Sequence, residues 1–308
     1  MPQDQTLLFV LFTLFILAML ALDLGVLHRT PHSVSLKEAT IWSIVWIVLA
    51  LAFNIGILLF AGADSALEFF TGYLIERALS MDNIFVFIII FSYFGVPPKF
   101  QHRVLFWGVL GALIMRSLFI AAGTALIAQF DWILYLFGVI LVISGWKMMT
   151  QKGVEVHPEK NMFIRLARKF FPVEAGFETP NFFVRKGTKV HITTMLLVLL
   201  TVETTDVVFA VDSIPAVFGV TRDPFIVYSS NIFAILGLRA MYFLLAGVMN
   251  TFYYLSHGLS IVLIFIGVKM LIADFFHIPI SISLSIVVGI LTLAVVASMQ
   301  RNRRAARG

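Results

Sequence analysis

The sequence has no cysteine among its 308 residues and few charged residues. Without cysteine, the chain cannot form structural disulfides, bind a metal through thiolates or carry out dithiol redox chemistry itself. Charged residues make up 13% of the total, whereas 60% are hydrophobic and the mean hydropathy is +0.98. Soluble domains of this length do not approach such values, so the composition predicts an integral membrane protein.

Apolar runs of about 20 residues recur along the whole chain, and each is long enough to cross a bilayer as a helix. We predict an all-α membrane protein with a single transmembrane domain over residues 1–308 and about nine spans. The first run lacks a preceding basic segment and is too long for a signal peptide, so we expect it to be retained. The predicted spans cover residues 7–27, 41–61, 66–93, 104–127, 132–150, 191–218, 225–248, 253–273 and 279–298.

The net charge of +5 is distributed as membrane topology requires, and the sequence offers no nucleic-acid-binding face. With the N-terminus outside, 17 of the 22 basic residues fall in or beside cytoplasmic connections, and the opposite face holds only Arg222. We therefore predict an N-out, C-in orientation, with a basic cytoplasmic loop over 151–190 and a basic cytoplasmic tail over 299–308. Residues 163–171 fit a basic amphipathic helix that touches anionic lipid, although the charge of the loop can equally serve topology alone.

Two of the hydrophobic stretches carry the same acidic signature. In each, a carboxylate is followed six residues later by an aspartate and then by a small amide or hydroxyl residue. Ionised groups at membrane depth cost several kcal/mol unless something compensates them, so they indicate an ion or proton site. The residues are Glu76, Asp82 and Asn83 in the third span and Asp206, Asp212 and Ser213 in the sixth.

The two signatures belong to a longer internal match between residues 66–150 and residues 191–273, three spans against three. Because each unit has an odd number of spans, the second unit enters the membrane from the opposite side. This predicts an inverted repeat with a site near the midplane at the repeat interface, although apolar segments can also align by chance. Polar residues match in order, in the pairs Glu76–Asp206, Asp82–Asp212, Arg116–Arg239 and Lys147–Lys269.

Helical spacing separates the acids of each unit. On an ideal helix, Glu76, Ser80 and Asn83 share one face, whereas Asp82 is rotated from them by about a third of a turn. In the sixth span Asp212 is displaced in the same way from the stripe of Glu203, Asp206 and Ser213. Two regular helices would therefore not direct both carboxylates of a unit at one point.

Pro215 offers a way to complete the site. It has no N–H to donate to the carbonyl of Val211, so we predict an interruption of the helix and a free backbone oxygen beside Asp212. Carbonyls released at a helix break, together with carboxylates, are typical ligands of cations inside membranes.

The candidate ligands are hard oxygen donors, which suit Mg²⁺, Ca²⁺ or Mn²⁺ better than copper or zinc. Buried acids can also simply pair with arginines, but the acids outnumber the basic groups within the spans. We expect Arg116 and Arg239 to be structural partners or gates. The candidate ligands are Glu76, Asp82, Asn83, Asp206, Asp212 and Ser213, and the auxiliary candidates are Asp23, Ser80, Glu203, Val211, Pro215, Arg116 and Arg239.

Both acidic motifs, together with the Ile-Pro-Ala that follows Ser213, resemble those of the TerC family of integral membrane proteins, and the resemblance runs through nearly the whole chain. This family is associated with tellurium resistance and metal homeostasis. The resemblance implies a multi-pass protein of the bacterial inner membrane that exports Mn²⁺, and the choice of manganese and of export comes from it alone. Exchange for protons, transport direction and oligomeric state stay open.

Two other functions compete with transport. The chain could be a membrane scaffold or a modulator of redox and tellurite stress whose polar core is structural. Asp82 and Asp212 could also share a proton as an intramembrane aspartyl protease does, but neither has a glycine-rich catalytic sequence beside it, and the flanking acids exceed what a dyad needs. We therefore expect a transporter rather than an enzyme, with no catalytic residues.

Overall fold

The computed structural model describes residues 3–22, 35–150, 161–174, 176–177, 179–186, 189–246 and 253–305. These ranges contain eleven helices and three short strands. The helices are α1 (Gln3–Leu22), α2 (Leu36–Ala61), α3 (Ala63–Phe94), α4 (Pro98–Gln129), α5 (Ile133–Thr150), α6 (Met162–Phe170), α7 (Thr194–Phe218), α8 (Pro224–Leu236), α9 (Leu238–Ala246), α10 (Leu255–Leu271) and α11 (Ile280–Ala305). The strands are β1 (Val173–Glu174), β2 (Phe183–Lys186) and β3 (Lys189–Thr193).

Within the described residues, six segments are long and apolar enough to cross a membrane: α2, α4, α5, α7, α8 with α9, and α11. The apolar parts of α1 and α10 are shorter, and α3 carries five charged residues along its length. Large apolar side chains such as Leu59 and Phe60 are exposed on the outer surfaces of the helices, as a lipid-facing protein requires. The chain is thus a multi-pass integral membrane protein, and the number of nine spans stays a prediction.

The core is built from α3, α4, α7 and α8, which pack against one another. Helices α3 and α7 run antiparallel, because Gly72 lies against Val217 while Asn83 lies beside Asp206. The approach at Gly72 is close, since a Cβ there would lie 3.2 Å from the Val217 side chain.

Helices α5 and α10 form the most extensive helix pair of the fold and also run antiparallel. Gly138 meets Gly267, and Gly145 meets Ser260. A Cβ on Gly267 would lie 2.7 Å from the carbonyl oxygen of Gly138, so these backbones touch directly. Small residues that allow such approach are a common means of joining helices in membranes.

A helix break occurs in a different place from the one expected. The prediction of an interruption at Pro215 is wrong, because α7 continues through Pro215 to Phe218. The missing hydrogen bond falls in the last turn, and the residues around it are buried in the core. Instead, the predicted seventh span divides at Gly237 into α8 and α9, and the Arg77 guanidinium donates to the carbonyl of Ala234 there at 3.0 Å.

The expectation of an all-α protein also needs correction, since the region of the predicted cytoplasmic loop contains a small sheet in the order β1-β3-β2. Strand β3 pairs antiparallel with β2, with Val184 opposite His191, and parallel with β1. Aromatic and β-branched residues in β2 and β3 favour extended backbone. In the same region α6 forms where the amphipathic helix was expected.

Candidate cation site

Arg116 lies at the centre of the protein core, where α4 carries its fully buried side chain between two acids. Its guanidinium forms an ion pair with the Glu76 carboxylate of α3. It also reaches Asp206 of α7, with Nη2 at 3.3 Å from Oδ1 and Nε at 3.4 Å from Oδ2. The structure thus brings one acid of the third predicted span and one acid of the sixth together on the same buried guanidinium.

Neutral polar groups complete the cluster. Arg116 Nη1 donates to Ser213 Oγ at 3.2 Å and to Asn231 Oδ1 of α8 at 3.3 Å. The Asn83 amide donates to Asp206 Oδ1 at 3.4 Å. Side chains from α3, α4, α7 and α8 therefore converge on one point, and we call Glu76, Asn83, Arg116, Asp206, Ser213 and Asn231 the central cluster.

The central cluster lies deep in the fold. Asp206 is the middle residue of α7, twelve residues from each end of the helix. At a rise of about 1.5 Å per residue it is roughly 18 Å from either end. Glu76 is 0% and Asp206 4% exposed. Charges at such depth depend on partners inside the protein, because water cannot solvate them.

Two side chains in or beside the central cluster carry oxygen atoms with unused hydrogen-bonding capacity. Among the described residues, the Glu76 carboxylate contacts Arg116 but accepts no hydrogen bond, and Ser80 Oγ has no hydrogen-bond partner. These two side chains are one helical turn apart on the same face of α3. Buried acceptors without donors are costly in a static core, whereas a bound cation would use them.

Glu203 adds a third carboxylate near Asp206. It lies one turn earlier on α7, is half-buried and interacts electrostatically with Asp206. Its carboxylate presses against Gly111 of α4, where a side-chain carbon would overlap the carboxylate oxygens. Glycine at this position thus makes room for the acid.

Asp82 and Asp212 lie outside the central cluster, as their displacement on the helical wheel predicts. Asp82 is within hydrogen-bonding reach of Ser256 of α10. Asp212 Oδ1 accepts a hydrogen bond of 2.6 Å from Ser144 Oγ of α5. Each aspartate therefore links its own unit of the predicted repeat to the last helix of the other unit.

The remaining auxiliary candidates do not join the cluster. Arg239 is buried beside Trp42 and His102, the Val211 side chain is exposed, and Asp23 lies outside the described residues. Within the described part of the chain, His, Asp and Glu side chains form no group of three that could hold a metal ion. The six predicted ligands are thus not one ready-made metal site in this conformation.

Two features were not predicted. Asn231 is fully buried and belongs to the cluster, although a single asparagine in an apolar span is a weak signal. A cavity of about 830 Å³, which we call the outer cavity, opens at the helix ends that lie outside in the predicted orientation. Acidic and basic residues line it together, including Asp64, Glu68, Asp131, Lys269 and Asp274.

Comparison with known proteins gives a clear relationship. The family model "Integral membrane protein TerC family" matches residues 61–306. An uncharacterized membrane protein of Myxococcus xanthus is 50% identical over 96% of this chain and 92% of its own length. Proteins named "Putative membrane-bound redox modulator Alx" from Salmonella typhi and Escherichia coli strain K12 are 49% and 48% identical, each over 95% of this chain and 94% of their own length. No solved structure matches the chain.

Proposed function

The chain belongs to the TerC family of integral membrane proteins, and from this premise we propose that it exports a hard divalent cation, Mn²⁺, across the bacterial inner membrane by alternating access. The observation that carries the proposal is the pair of buried carboxylates, Glu76 and Asp206, at the centre of two antiparallel helices. Manganese is the cation that the family resemblance implies. Carboxylate, amide and hydroxyl oxygens are suitable ligands for it.

The helix directions support an inverted repeat. Helices α3 and α7 correspond in the proposed repeat and run antiparallel, and so do α5 and α10. Asp82 of the first unit contacts Ser256 in α10, the last helix of the second unit. Asp212 of the second unit contacts Ser144 in α5, the last helix of the first. Movement of one unit against the other would change these contacts and expose the central cluster to alternate sides.

In this mechanism Arg116 and the transported cation exclude each other. The guanidinium uses both Asp206 oxygens and contacts Glu76, so a metal ion reaches these oxygens only after Arg116 withdraws. Ser80 and Glu203 then supply further oxygen within one turn of the two acids. When the metal leaves, Arg116 returns and neutralises the acids, so the empty carrier does not hold two unpaired buried charges. Protons taken up by the carboxylates are an alternative means of neutralisation.

In this proposal the cation leaves the protein through the outer cavity. Its acidic residues raise the local concentration of cations, while Lys269 lies within it and interacts with Glu68. Thr221 also donates to Glu68 at 2.6 Å, which holds that carboxylate in place. The cavity would thus receive the cation when the central cluster opens outward.

Measurements in bacteria test the export proposal. Cells that overproduce the protein are expected to contain less manganese and to tolerate more of it, and Asp206→Asn, Asp82→Asn or Asp212→Asn should abolish both effects. Glu38→Gln is the matched control, because Glu38 lies in the first turn of α2, outside the central cluster and outside the lining of the outer cavity. Wild-type tolerance in all three core variants, at normal expression, would contradict the proposal.

A second candidate function is a membrane scaffold or stress modulator with a structural polar core. The pairing of Arg116 with both acids favours it, because this network alone can explain their burial. The name of the Alx relatives as redox modulators points the same way, although a chain without cysteine cannot act through thiols. A scaffold predicts that Mn²⁺ leaves the thermal stability of the purified protein unchanged. We propose no enzymatic activity for either function.

A further inference from the structure

Helix α6 has three distinct faces. One face packs on the protein, where Ile164 is buried against Ile192 and Leu197, with Ala167 beside it. Asn161 caps the helix by accepting hydrogen bonds from the backbone N–H groups of Phe163 and Ile164. The orientation of α6 on the start of α7 is therefore fixed by packing and by a cap.

The second face is apolar and exposed. Met162, Phe163, Leu166 and Phe170 are each at least half exposed. At about 100° per residue these four side chains fall within roughly 100° of arc, turned away from Ile164. Four large apolar side chains on one side of a helix of nine residues form a surface that water does not favour.

The third face is basic. Arg165, Arg168 and Lys169 are exposed, and two of them lie at the edge of the apolar stripe. An apolar stripe with lysine and arginine along its border is typical of helices that lie in the plane of a membrane surface.

The contacts of α6 place it at the level of the inner membrane boundary. The cluster around Ile164 includes Phe94, the last residue of α3. The neighbouring Tyr93 is exposed, and exposed tyrosines are enriched where membranes meet water. The basic residues of the surrounding segments put this end of α3 on the cytoplasmic side.

We propose that α6 lies in the headgroup region of the inner leaflet and binds anionic phospholipid. Its apolar stripe enters the boundary of the acyl chains, and its three basic side chains contact lipid phosphates. This surface is separate from the central cluster, so the proposal does not depend on cation transport.

Spin labels on single cysteines test this placement directly, because the chain has no cysteine to remove. Leu166→Cys and Phe170→Cys would be labelled in vesicles of phosphatidylcholine with or without phosphatidylglycerol. We expect both labels to be more accessible to oxygen than to a water-soluble nickel complex when phosphatidylglycerol is present. A label at Lys189→Cys, on the exposed start of β3, is the aqueous control.

The basic face is tested by replacing Arg165, Arg168 and Lys169 together with glutamine. With the basic residues intact, the preference of the Leu166 label for oxygen should be lower in vesicles of phosphatidylcholine alone than in vesicles that also contain phosphatidylglycerol. In the triple variant this preference should be the same in both kinds of vesicle. Preferential nickel access at both positions in the anionic vesicles would overturn the proposal. Shielding of both labels from both reagents would overturn it in favour of a protein contact. Equal oxygen preference in the two vesicle types would refute the binding of anionic lipid.

Discussion

Replacing Arg116 with methionine tests whether an internal cation holds the two central acids. The Arg116 side chain is fully buried, as is Glu76, and Asp206 is 4% exposed. Removing one partner of a buried ion pair leaves the other charge uncompensated, which costs about 3–5 kcal/mol. We therefore expect Arg116→Met to lose about that much of its free energy of unfolding in metal-free detergent solution.

Manganese should reverse part of this loss, because the freed acids become available as ligands. A ligand at one hundred times its dissociation constant stabilises a folded protein by about 2.7 kcal/mol. The wild-type protein must first release Arg116 from Asp206, so its stabilisation by the same Mn²⁺ concentration should be smaller. Thermal unfolding with MnCl₂ or with a chelator measures both quantities.

Arg239→Met is the matched control, since Arg239 is also buried but lies beside Trp42 and His102. It should lower stability without increasing the response to manganese. If Arg116→Met folds poorly, Arg116→Lys keeps a charge but loses the two-point contact with Asp206 and should give an intermediate response. An Arg116 variant as stable as wild type, or one that gains nothing from Mn²⁺, would refute the reasoning.

Further predictions concern close helix contacts. Gly237→Ala should displace the Arg77 guanidinium that fills the space beside Gly237, lowering the unfolding free energy by about 1–3 kcal/mol in thermal or denaturant unfolding. Gly56→Ala, where an added Cβ would meet no described residue beyond its own stretch of helix within 4 Å, should be neutral or stabilising by up to about 1 kcal/mol, and an equal loss in both variants would contradict this. Gly267→Leu should separate α5 from α10, because even an added Cβ would lie 2.7 Å from the Gly138 carbonyl oxygen. We expect the free energy of unfolding to fall by at least about 2 kcal/mol. An unchanged melting temperature would argue against direct backbone contact.

The sequence drew attention to Glu76 and Asp206 for a simple physical reason. A carboxylate such as Asp206 in an apolar run is conspicuous, and its cost in a membrane indicates a site. The displacement of Asp82 and Asp212 was predictable from the angle of 100° per residue alone. The amphipathic helix predicted over residues 163–171 corresponds to the observed α6, because basic and apolar residues fall on separate faces at helical spacing.

Features that depend on distant contacts were not predictable. The break at Gly237 is filled by Arg77, which lies 160 residues earlier in the chain. Pro215 pointed to the wrong place because the loss of one hydrogen bond does not end a helix whose last turn is buried. Asn231 joins the cluster through Arg116, and that contact has no signature in sequence.

Manganese flux into proteoliposomes tests the proposed transport most directly. Purified protein would be reconstituted with a manganese-sensitive dye inside, with Mg²⁺ or Ca²⁺ as competitors and with or without a pH gradient. We predict saturable Mn²⁺ flux in the wild-type protein and in Glu38→Gln, and none above the lipid background in Asp206→Asn. Equal flux in Asp206→Asn and wild type, or no flux from folded wild-type protein under any gradient, would contradict transport through the central cluster.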